Sequence, residues 1–293
     1  MANLKEIRTR IKSVKSTQQV TSAMKMVSAA KLRKAQEAIL QMRPYANKLH
    51  EVLVHISDNP DMVEENPYVQ NREENKILLI VVTSNRGLCG GFNSNVIRRT
   101  VLLIEEKYKT QYQKGNVEIC AIGKKATDLL KSKNIKVTEE KHSLFDKLKY
   151  SEIAPTAESI MKKFADKYYD KVVFIYDQFK NAASQNLLVE QFLPIQLGAE
   201  KGSHQNMNYL FEPTPEYLAE FLIPKSLKIQ FYKVLLDSNA SEHGARMTAM
   251  HQATDNAGEL IKSLKLSYNK ARQASITKEI LEIVGGANAL KNA

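Results

Sequence analysis

The chain has 293 residues, of which 43 % are apolar and 26 % are charged, a balance typical of folded globular proteins and not of disordered ones. Lysine and arginine number 43 against 32 aspartates and glutamates, which gives a net charge of +11. The first fifty residues hold eleven basic side chains and two glutamates, a net charge of +9. This segment should attract nucleic acid, anionic lipid or an acidic protein surface, and charge alone does not choose among them.

Cysteine usage and hydropathy exclude two further classes. The two cysteines, Cys89 and Cys120, can form at most one disulfide, which is too few for a secreted scaffold held by several bridges. The longest purely apolar run, Ile77–Val82, is far shorter than the ~20 residues that span a bilayer, and no signal-peptide pattern opens the chain. We therefore expect two free thiols in a cytoplasmic protein that touches a membrane only through partners.

The first segment has the apolar spacing of a long helix. Leu4, Ile7, Ile11 and Val14 are separated by three, four and three residues, as in the narrow stripe of a coiled coil. After a polar stretch the same spacing returns at Ala38, Met42, Tyr45, Leu49, Val52 and Ile56. Because this phase is kept across Pro44, we predict one helix over residues 2–57 with a kink at that proline.

The last segment has a similar character after Pro224, and no proline occurs from Lys225 to the end. The pattern predicts one helix from Ser226 to about Val284. Its predicted stripe contains Leu227, Phe231, Val234, Ser238, Ala245, Ala249, Ala257, Leu260, Leu264, Ala271 and Ile280. Two long helices must bury their stripes, and packing against each other is the simplest solution.

The middle of the chain has the apolar pattern of strands and not that of long helices. Asn75–Ser84, Val117–Gly123 and Lys171–Asp177 are apolar, β-branched runs typical of strands that are covered on both faces. Predicted helices separate them, and Asn186–Ile195 could add an edge strand. We predict a mixed fold: a long N-terminal helix over 1–58, a central Rossmann-like α/β domain over 76–196, and a long C-terminal helix over 209–293 that pairs with the first.

A glycine-rich loop, Thr83–Asn95, lies between the first predicted strand and a helix, where phosphate-binding loops occur. Its glycines at 87, 90 and 91 match neither the dinucleotide nor the P-loop spacing, and no Lys-Ser or Lys-Thr pair follows them. No sequence feature supplies a base that would activate Cys89 as a nucleophile. The loop therefore indicates tight turns, and we predict no catalytic residue and no bound cofactor.

The remaining chemistry leaves three functional classes open. The six histidines lack the paired spacing of a metal site, so we predict no metal. The basic first helix is compatible with a coiled-coil protein that binds nucleic acid, although its first aromatic residue is Tyr45 and no known module is present. An autonomous nucleotide enzyme would have to hydrolyse ATP as a purified chain. A helical hairpin attached to an α/β domain favours the third class, an interaction or mechanical part.

Six stretches carry motifs along the whole chain: KEIRTRIKSVKSTQQVTSAMKMVSAAKLRKAQ (Lys5–Gln36), RPYA (Arg43–Ala46), RGLCGGFN (Arg86–Asn93), FEPTP (Phe211–Pro215), SEHGARMTAMHQATDNA (Ser241–Ala257) and the closing YNKARQASITKEILEIVGGANA. In this order and over this length, the chain resembles the gamma subunits of F-type ATP synthases. The sequence departs from many relatives at Asn85, where they have Asp. The long cysteine-bearing insertion of the chloroplast form is absent, so the resemblance implies no thiol regulation of that kind.

The resemblance implies that the two terminal helices form an antiparallel coiled coil, a rotor shaft whose end lies inside a hexamer of alternating alpha and beta subunits. The α/β domain would meet the epsilon subunit and the membrane ring of c subunits. Proton flow would turn ring and shaft together and so drive ATP synthesis, or its reversal, on the hexamer. The chain would be a non-catalytic, peripheral subunit on the cytoplasmic face of the bacterial plasma membrane.

A shaft inside a ring of subunits has neighbours on its whole circumference, so polar side chains around Ala271–Leu290 need no solvent face. The basic residues of the first helix could face acidic loops of beta in exposed pairs worth ~0–1 kcal/mol each. The resemblance therefore predicts contacts between rotor and stator at Met24, Lys25, Lys31, Arg33, Lys34, Arg246, Arg272, Gln273, Thr277 and Glu279.

Overall fold

The computed structural model describes residues 4–57, 66–146, 148–182, 184–195 and 215–291. Six helices are α1 Leu4–Ser57, α2 Phe92–Glu106, α3 Lys109–Gln113, α4 Lys124–Ser132, α5 Tyr150–Ala165 and α6 Pro215–Lys291. Five strands are β1 Ile77–Val82, β2 Val117–Ile122, β3 Glu139–Glu140, β4 Lys171–Phe179 and β5 Gln185–Leu193.

The chain forms two compact units, one over residues 28–246 and one formed by 1–27 with 247–293. Both terminal helices contribute residues to each unit. The domain limits predicted at 58, 196 and 209 lie outside the described residues, so that division stays a prediction. Long helices at both ends of the chain and a central mixed sheet are present as predicted.

In the unit of residues 28–246 the sheet has the strand order β3-β2-β1-β4-β5. The first four strands in this order are parallel, and β5 pairs antiparallel with β4 at the edge. Crossover connections carry α2 and α3 between β1 and β2, and α5 between β3 and β4. This Rossmann-like topology places the loop after β1 at the carboxyl end of the central strand, where the strand order changes direction.

Alternating residues of each strand build two cores, one on each face of the sheet. Ile77, Leu79 and Val81 of β1 face a core that also contains residues of α2 and α4. The intervening residues of β1 face a second core, formed with α5 and with residues 223–235 of α6. Because both faces are covered, β1 is apolar at every position and at most 2 % exposed.

At the carboxyl end of the sheet, Gly123 follows β2 with a φ of +97°. A Cβ atom at this position would lie 2.1 Å from the carbonyl oxygen of Thr83. Glycine is therefore required here by both conformation and space, because only a residue without a side chain lets β1 and β2 end so close together.

Two predictions about α6 were wrong. The helix begins at Pro215, and Pro224 lies inside it, because its segment 223–235 belongs to the core under the sheet. The predicted stripe placed Leu260 and Ile280 on the covered face, but these side chains are 41 % and 54 % exposed. Helix α1 continues through Pro44. Its predicted stripe contained Ala38 and Tyr45, but Tyr45 is 45 % exposed, and the buried residue near Ala38 is its neighbour Ile39.

In the unit of residues 1–27 with 247–293, α1 and α6 pack side by side in opposite directions. Thr21 of α1 contacts Thr254 of α6, and Gln18, earlier in α1, lies beside Gly258, later in α6. Because Thr21, Thr254 and Gly258 have small side chains or none, the two helix axes can approach each other closely here.

Candidate interaction surface

The last turns of α6 are exposed on every side of the helix. From Ile276 to Asn288, every side chain that the structure describes is exposed. Five of them are large and apolar, with exposed fractions between 48 % and 70 %: Ile276, Ile280, Leu281, Ile283 and Val284. Contiguous apolar surface of this kind on a folded chain marks an interaction site.

The four residues predicted on this part of α6 are also exposed. The Thr277 hydroxyl donates to the carbonyl oxygen of Gln273 at 2.9 Å, and Ser275 donates to the Glu279 carboxylate at 3.3 Å. These contacts lie within one helix, and in the described part of the chain Arg272 makes no hydrogen bond or ion pair with a residue of α1. The structure thus brings the four together on one exposed helical segment, and their predicted contacts with other chains stay a prediction.

The predicted residues of α1 form two groups. Met24 and Lys25 are half-buried beside α6, while Lys31, Arg33 and Lys34 are exposed. Arg33 makes an ion pair with Glu37, one helical turn away, at 3.1 Å, and its side chain is 84 % exposed. An exposed pair of this kind contributes little to stability, so the guanidinium remains available for another partner.

Arg246 differs from the other predicted residues because it is only 8 % exposed. Its Nη1 atom lies 2.6 Å from a carboxylate oxygen of Glu242, one turn earlier in α6. Its Nη2 atom donates to the carbonyl oxygens of Arg86 at 3.1 Å and Gly87 at 3.4 Å. The side chain therefore ties α6 to the glycine-rich loop, and a contact of Arg246 with another subunit stays a prediction.

Several charges surround this buried pair. Burial raises the pKa of the Glu242 carboxyl, and the neighbouring Arg246 opposes that shift. Burial, with the positive charges of Arg246 and Lys31, lowers the pKa of His243 to about 4. His243 is thus neutral at physiological pH, and the ring can accept from Nη1 of Arg246, 3.3 Å from Nδ1.

A polar network inside the loop fixes its path. The Asn93 side-chain oxygen accepts from the Ser84 amide at 3.0 Å, and the Ser84 hydroxyl donates to the carbonyl oxygen of Arg86 at 2.6 Å. The Asn93 amide donates to the Cys89 sulfur at 3.2 Å. Burial raises the pKa of Cys89, so the thiol is protonated and unsuited to act as a nucleophile.

Leu88, at the tip of the loop, was missed by sequence reasoning. It has a φ of +63° and its side chain is 63 % exposed. A leucine in the left-handed region is uncommon, and such strain often accompanies a functional surface. No sequence pattern indicates this conformation, whereas the four-residue spacing of Glu242 and Arg246 could have indicated their pairing.

The described residues contain neither a membrane span nor a metal-binding cluster. None of the helices there is both long and apolar enough to cross a membrane. Within the same residues, no three histidine, cysteine or acidic side chains are grouped closely enough to hold a metal ion.

Comparison with known proteins gives the family. The family model described as ATP synthase matches residues 3–290 of the chain. The chain is 56 % identical to the ATP synthase gamma chain of Flavobacterium johnsoniae over 99 % of both chains. It is 51 % identical to that of Cytophaga hutchinsonii over the full length of both.

Solved structures share the fold at lower identity. A chain of the Euglena gracilis mitochondrial ATP synthase rotor has a TM-score of 0.65 and 19 % identity, with 93 % of this chain and 98 % of that chain covered. A chain of the Tetrahymena thermophila central stalk and c-ring has a TM-score of 0.59 and 23 % identity, with coverage of 80 % and 99 %. From the match of family and relatives over the entire length, the chain belongs to the ATP synthase gamma chains.

Proposed function

We propose that this chain is the central rotor shaft of an F-type ATP synthase, and that residues 276–288 turn inside the hexamer of alpha and beta subunits. The observation that carries the proposal is the exposure of every described side chain from Ile276 to Asn288, the apolar ones included. Ile280, Leu281 and Ile283 expose more than half of their area. A helix that packed against a neighbour of its own chain would cover its apolar side chains on one face, and this segment covers none of them.

The rotor couples two processes by changing which state of a catalytic subunit is stabilised. As the shaft turns, each beta subunit meets a different side of it, and each side stabilises a different conformation of that subunit. The polar residues Arg272, Gln273, Thr277 and Glu279 then supply contacts that differ from one side to the next. Torque from proton flow becomes a change in nucleotide affinity, and the reverse cycle turns hydrolysis into rotation.

The chain itself is non-catalytic in this proposal. The loop over 83–95 is occupied by its own polar network, and its one thiol is protonated. Catalysis would take place on the beta subunits, and the purified chain should not hydrolyse ATP.

The basic first helix fits the same role. Lys31 and Lys34 are exposed on α1, and Arg33 makes only an exposed pair with Glu37. Acidic loops of beta are the partners that we propose for them. Membership of the gamma chains favours this interpretation over nucleic acid binding, the alternative that the net charge left open.

We further propose that the α/β unit meets the epsilon subunit and the c-subunit ring. The chain would then be a peripheral subunit on the cytoplasmic face of the bacterial plasma membrane, in contact with the membrane through the complex only.

The test combines Arg272→Ala with Glu279→Ala, in the chain reconstituted with its alpha and beta subunits and, for pumping, in the whole complex. We expect ATPase turnover and ATP-driven proton pumping to fall, and the thermal melt of the free chain to stay unchanged, because the partners that are lost lie on other chains. The matched control is Glu259→Ala with Lys262→Ala, an ion pair of the same helix whose side chains are both 74 % exposed.

A melt that falls by several degrees while turnover and pumping stay normal would show that the two residues stabilise the helix pair and not the contact with the hexamer. Equal losses in the variant and the control would also contradict the proposal, since any change of surface charge on α6 would then have the same effect.

A further inference from the structure

In the unit of residues 1–27 with 247–293, a heptad series runs through the covered positions of both helices. The steps within this series alternate between three and four residues, as in a coiled coil. On α1 the series contains Leu4, Ile7, Ile11, Val14, Gln18, Thr21 and Lys25. On α6 it contains Met250, Thr254, Ala257, Ile261, Leu264, Tyr268, Ala271 and Ser275, and further half-buried positions such as Met24 and Gly258 flank it.

Polar side chains interrupt this seam at one level. The hydroxyls of Thr21 and Thr254 lie 2.8 Å apart across the two helices, and Thr21 is only 9 % exposed. The Gln18 side-chain amide lies at a long hydrogen-bond distance, 3.5 Å, from the carbonyl oxygen of Thr254. On the amino-terminal side of this level, the seam of α1 is formed by four aliphatic residues.

The two hydroxyls have two protons for three contacts, and the bond between the helices forms in either of two arrangements, whenever one proton is donated across the seam. Thr254 also lies 2.7 Å from the carbonyl oxygen of Met250, and Thr21 lies 3.0 Å from that of Gln18. If Thr254 donates to Met250, Thr21 donates to Thr254; if Thr21 donates to Gln18, Thr254 donates to Thr21. Each arrangement uses both protons and satisfies both hydroxyls.

We propose that the Thr21–Thr254 pair, assisted by Gln18, sets the register in which α1 and α6 align in this unit. The apolar positions of a heptad seam fit each other again after a shift of seven residues, so they select the register only weakly. A shift in one direction would place Thr21 at the level of Ile261, and a shift in the other would place Thr254 at the level of Val14. In either case at least one of the two hydroxyls would face an aliphatic side chain across the seam.

This role is distinct from stabilisation. Valine has nearly the same shape as threonine, and replacing both partners of a buried hydrogen bond by apolar groups of the same shape can be almost neutral. Replacing only one removes the same bond between the helices, and the remaining hydroxyl keeps its bond to a carbonyl oxygen of its own helix. A register pair therefore predicts that the second replacement adds little to the first, whereas two independent stabilising contacts would add.

The experiment traps the register by disulfide formation in the full-length free chain. Val14→Cys with Ile261→Cys joins positions that lie at one level in the observed register, and Val14→Cys with Tyr268→Cys joins positions one heptad apart. Cross-linked peptides are quantified by mass spectrometry, which separates them from Cys89 and Cys120, both buried in the other unit. The readout is the ratio of the first cross-link to the second.

We expect Thr21→Val with Thr254→Val to lower this ratio about fivefold, the factor that corresponds to one net hydrogen bond, with helix content unchanged. Thr21→Ser with Thr254→Ser keeps both hydroxyls and should keep the ratio. Thr9→Val and Thr17→Val are matched controls, because these threonines are exposed on α1 and bond only to their own helix.

An unchanged ratio in the double valine variant would overturn the proposal. So would hydrogen exchange of the amides around Thr21 and Thr254 that is additive in the two single variants and the double one. Because the free chain is used, either result leaves the proposed role in the ATP synthase untouched.

Discussion

The sheet and the last turns of α6 make opposite use of the same residue types. Ile77, Ile80 and Ile122 are inaccessible to solvent, whereas Ile280 and Ile283 of α6 are more than half exposed. Isoleucine in the sheet is buried by helices of its own chain, and the free energy of that burial stabilises the fold. Isoleucine at the end of α6 has no such cover from the described residues, so we expect its partner on another molecule. Apolar residues in the sheet therefore stabilise the fold, whereas apolar residues at the end of α6 are available for contacts with another molecule.

The largest effect that we expect comes from Arg246→Ala. The change leaves the Glu242 carboxylate buried without its partner and frees the carbonyl oxygens of Arg86 and Gly87, so the free energy of unfolding should fall by about 3–5 kcal/mol. Urea unfolding of the free chain measures it. Arg33→Ala is the matched control, an arginine with the same four-residue spacing from a glutamate but exposed, and it should lower that free energy by less than about 0.5 kcal/mol. Similar losses in both variants would mean that burial does not distinguish the two pairs.

A second effect depends on pH and comes from Asp177, which is 4 % exposed at the end of β4. Burial raises the pKa of its carboxyl to about 7, so between pH 4 and pH 7 the folded chain keeps a proton that the unfolded chain releases. The free energy of unfolding should therefore fall as the pH rises, by up to about 1.4 kcal/mol per pH unit across this window.

Asp177→Asn removes the titrating group and should abolish this slope. We expect the variant to be more stable than the parent chain at pH 8, where the parent must hold a buried carboxylate, and to differ little from it at pH 4. Urea unfolding at these two values measures the change. A slope that survives in the variant would place the titration elsewhere.

The smallest effect on stability should come from Ile280→Gln with Ile283→Gln. Both side chains are exposed, so the free energy of unfolding should change by less than about 0.5 kcal/mol. Ile153→Gln, which places an amide in the apolar core under the sheet, is the contrasting control and should lower it by several kcal/mol. If the two exposed changes lowered it as much as the buried one, the end of α6 would be part of the core and not a surface for partners.

Much of the fold could be predicted from patterns that have one dominant cause. Strands β1, β2 and β4 are near-continuous apolar runs, because helices cover the sheet on both faces. The edge strand β5 was also predicted, and it lies at the edge as an antiparallel strand. The two-residue strand β3 was missed, because Glu139–Glu140 contains no apolar signal and is placed only by its pairing with β2.

The start of α6 and the details of its stripe could not be predicted from the same patterns. Pro224 indicated a boundary, but residues on both sides of it belong to one helix, since the packing of 223–235 under the sheet outweighs the local effect of a proline. Leu260 fits a helical stripe as well as Ile261 does, and only the position of α1 decides which of them is covered.

The candidate site divides in the same way. Exposed polar residues at the end of α6 could be proposed from the motif and the helical pattern. The burial of Arg246 could not, because it depends on a loop that approaches from 160 positions earlier in the chain.

Leu88 has a consequence for the balance between stability and recognition. A leucine held at a positive φ destabilises the folded chain by roughly 1–2 kcal/mol relative to a residue without a side chain. Glycine at this position would relieve that strain, so selection for stability alone would favour it. A leucine that is strained and 63 % exposed at once is therefore the kind of residue that is retained for what its side chain touches outside the fold. Thermostabilising substitutions chosen from the free chain would replace it with glycine and so remove an exposed apolar side chain from this loop.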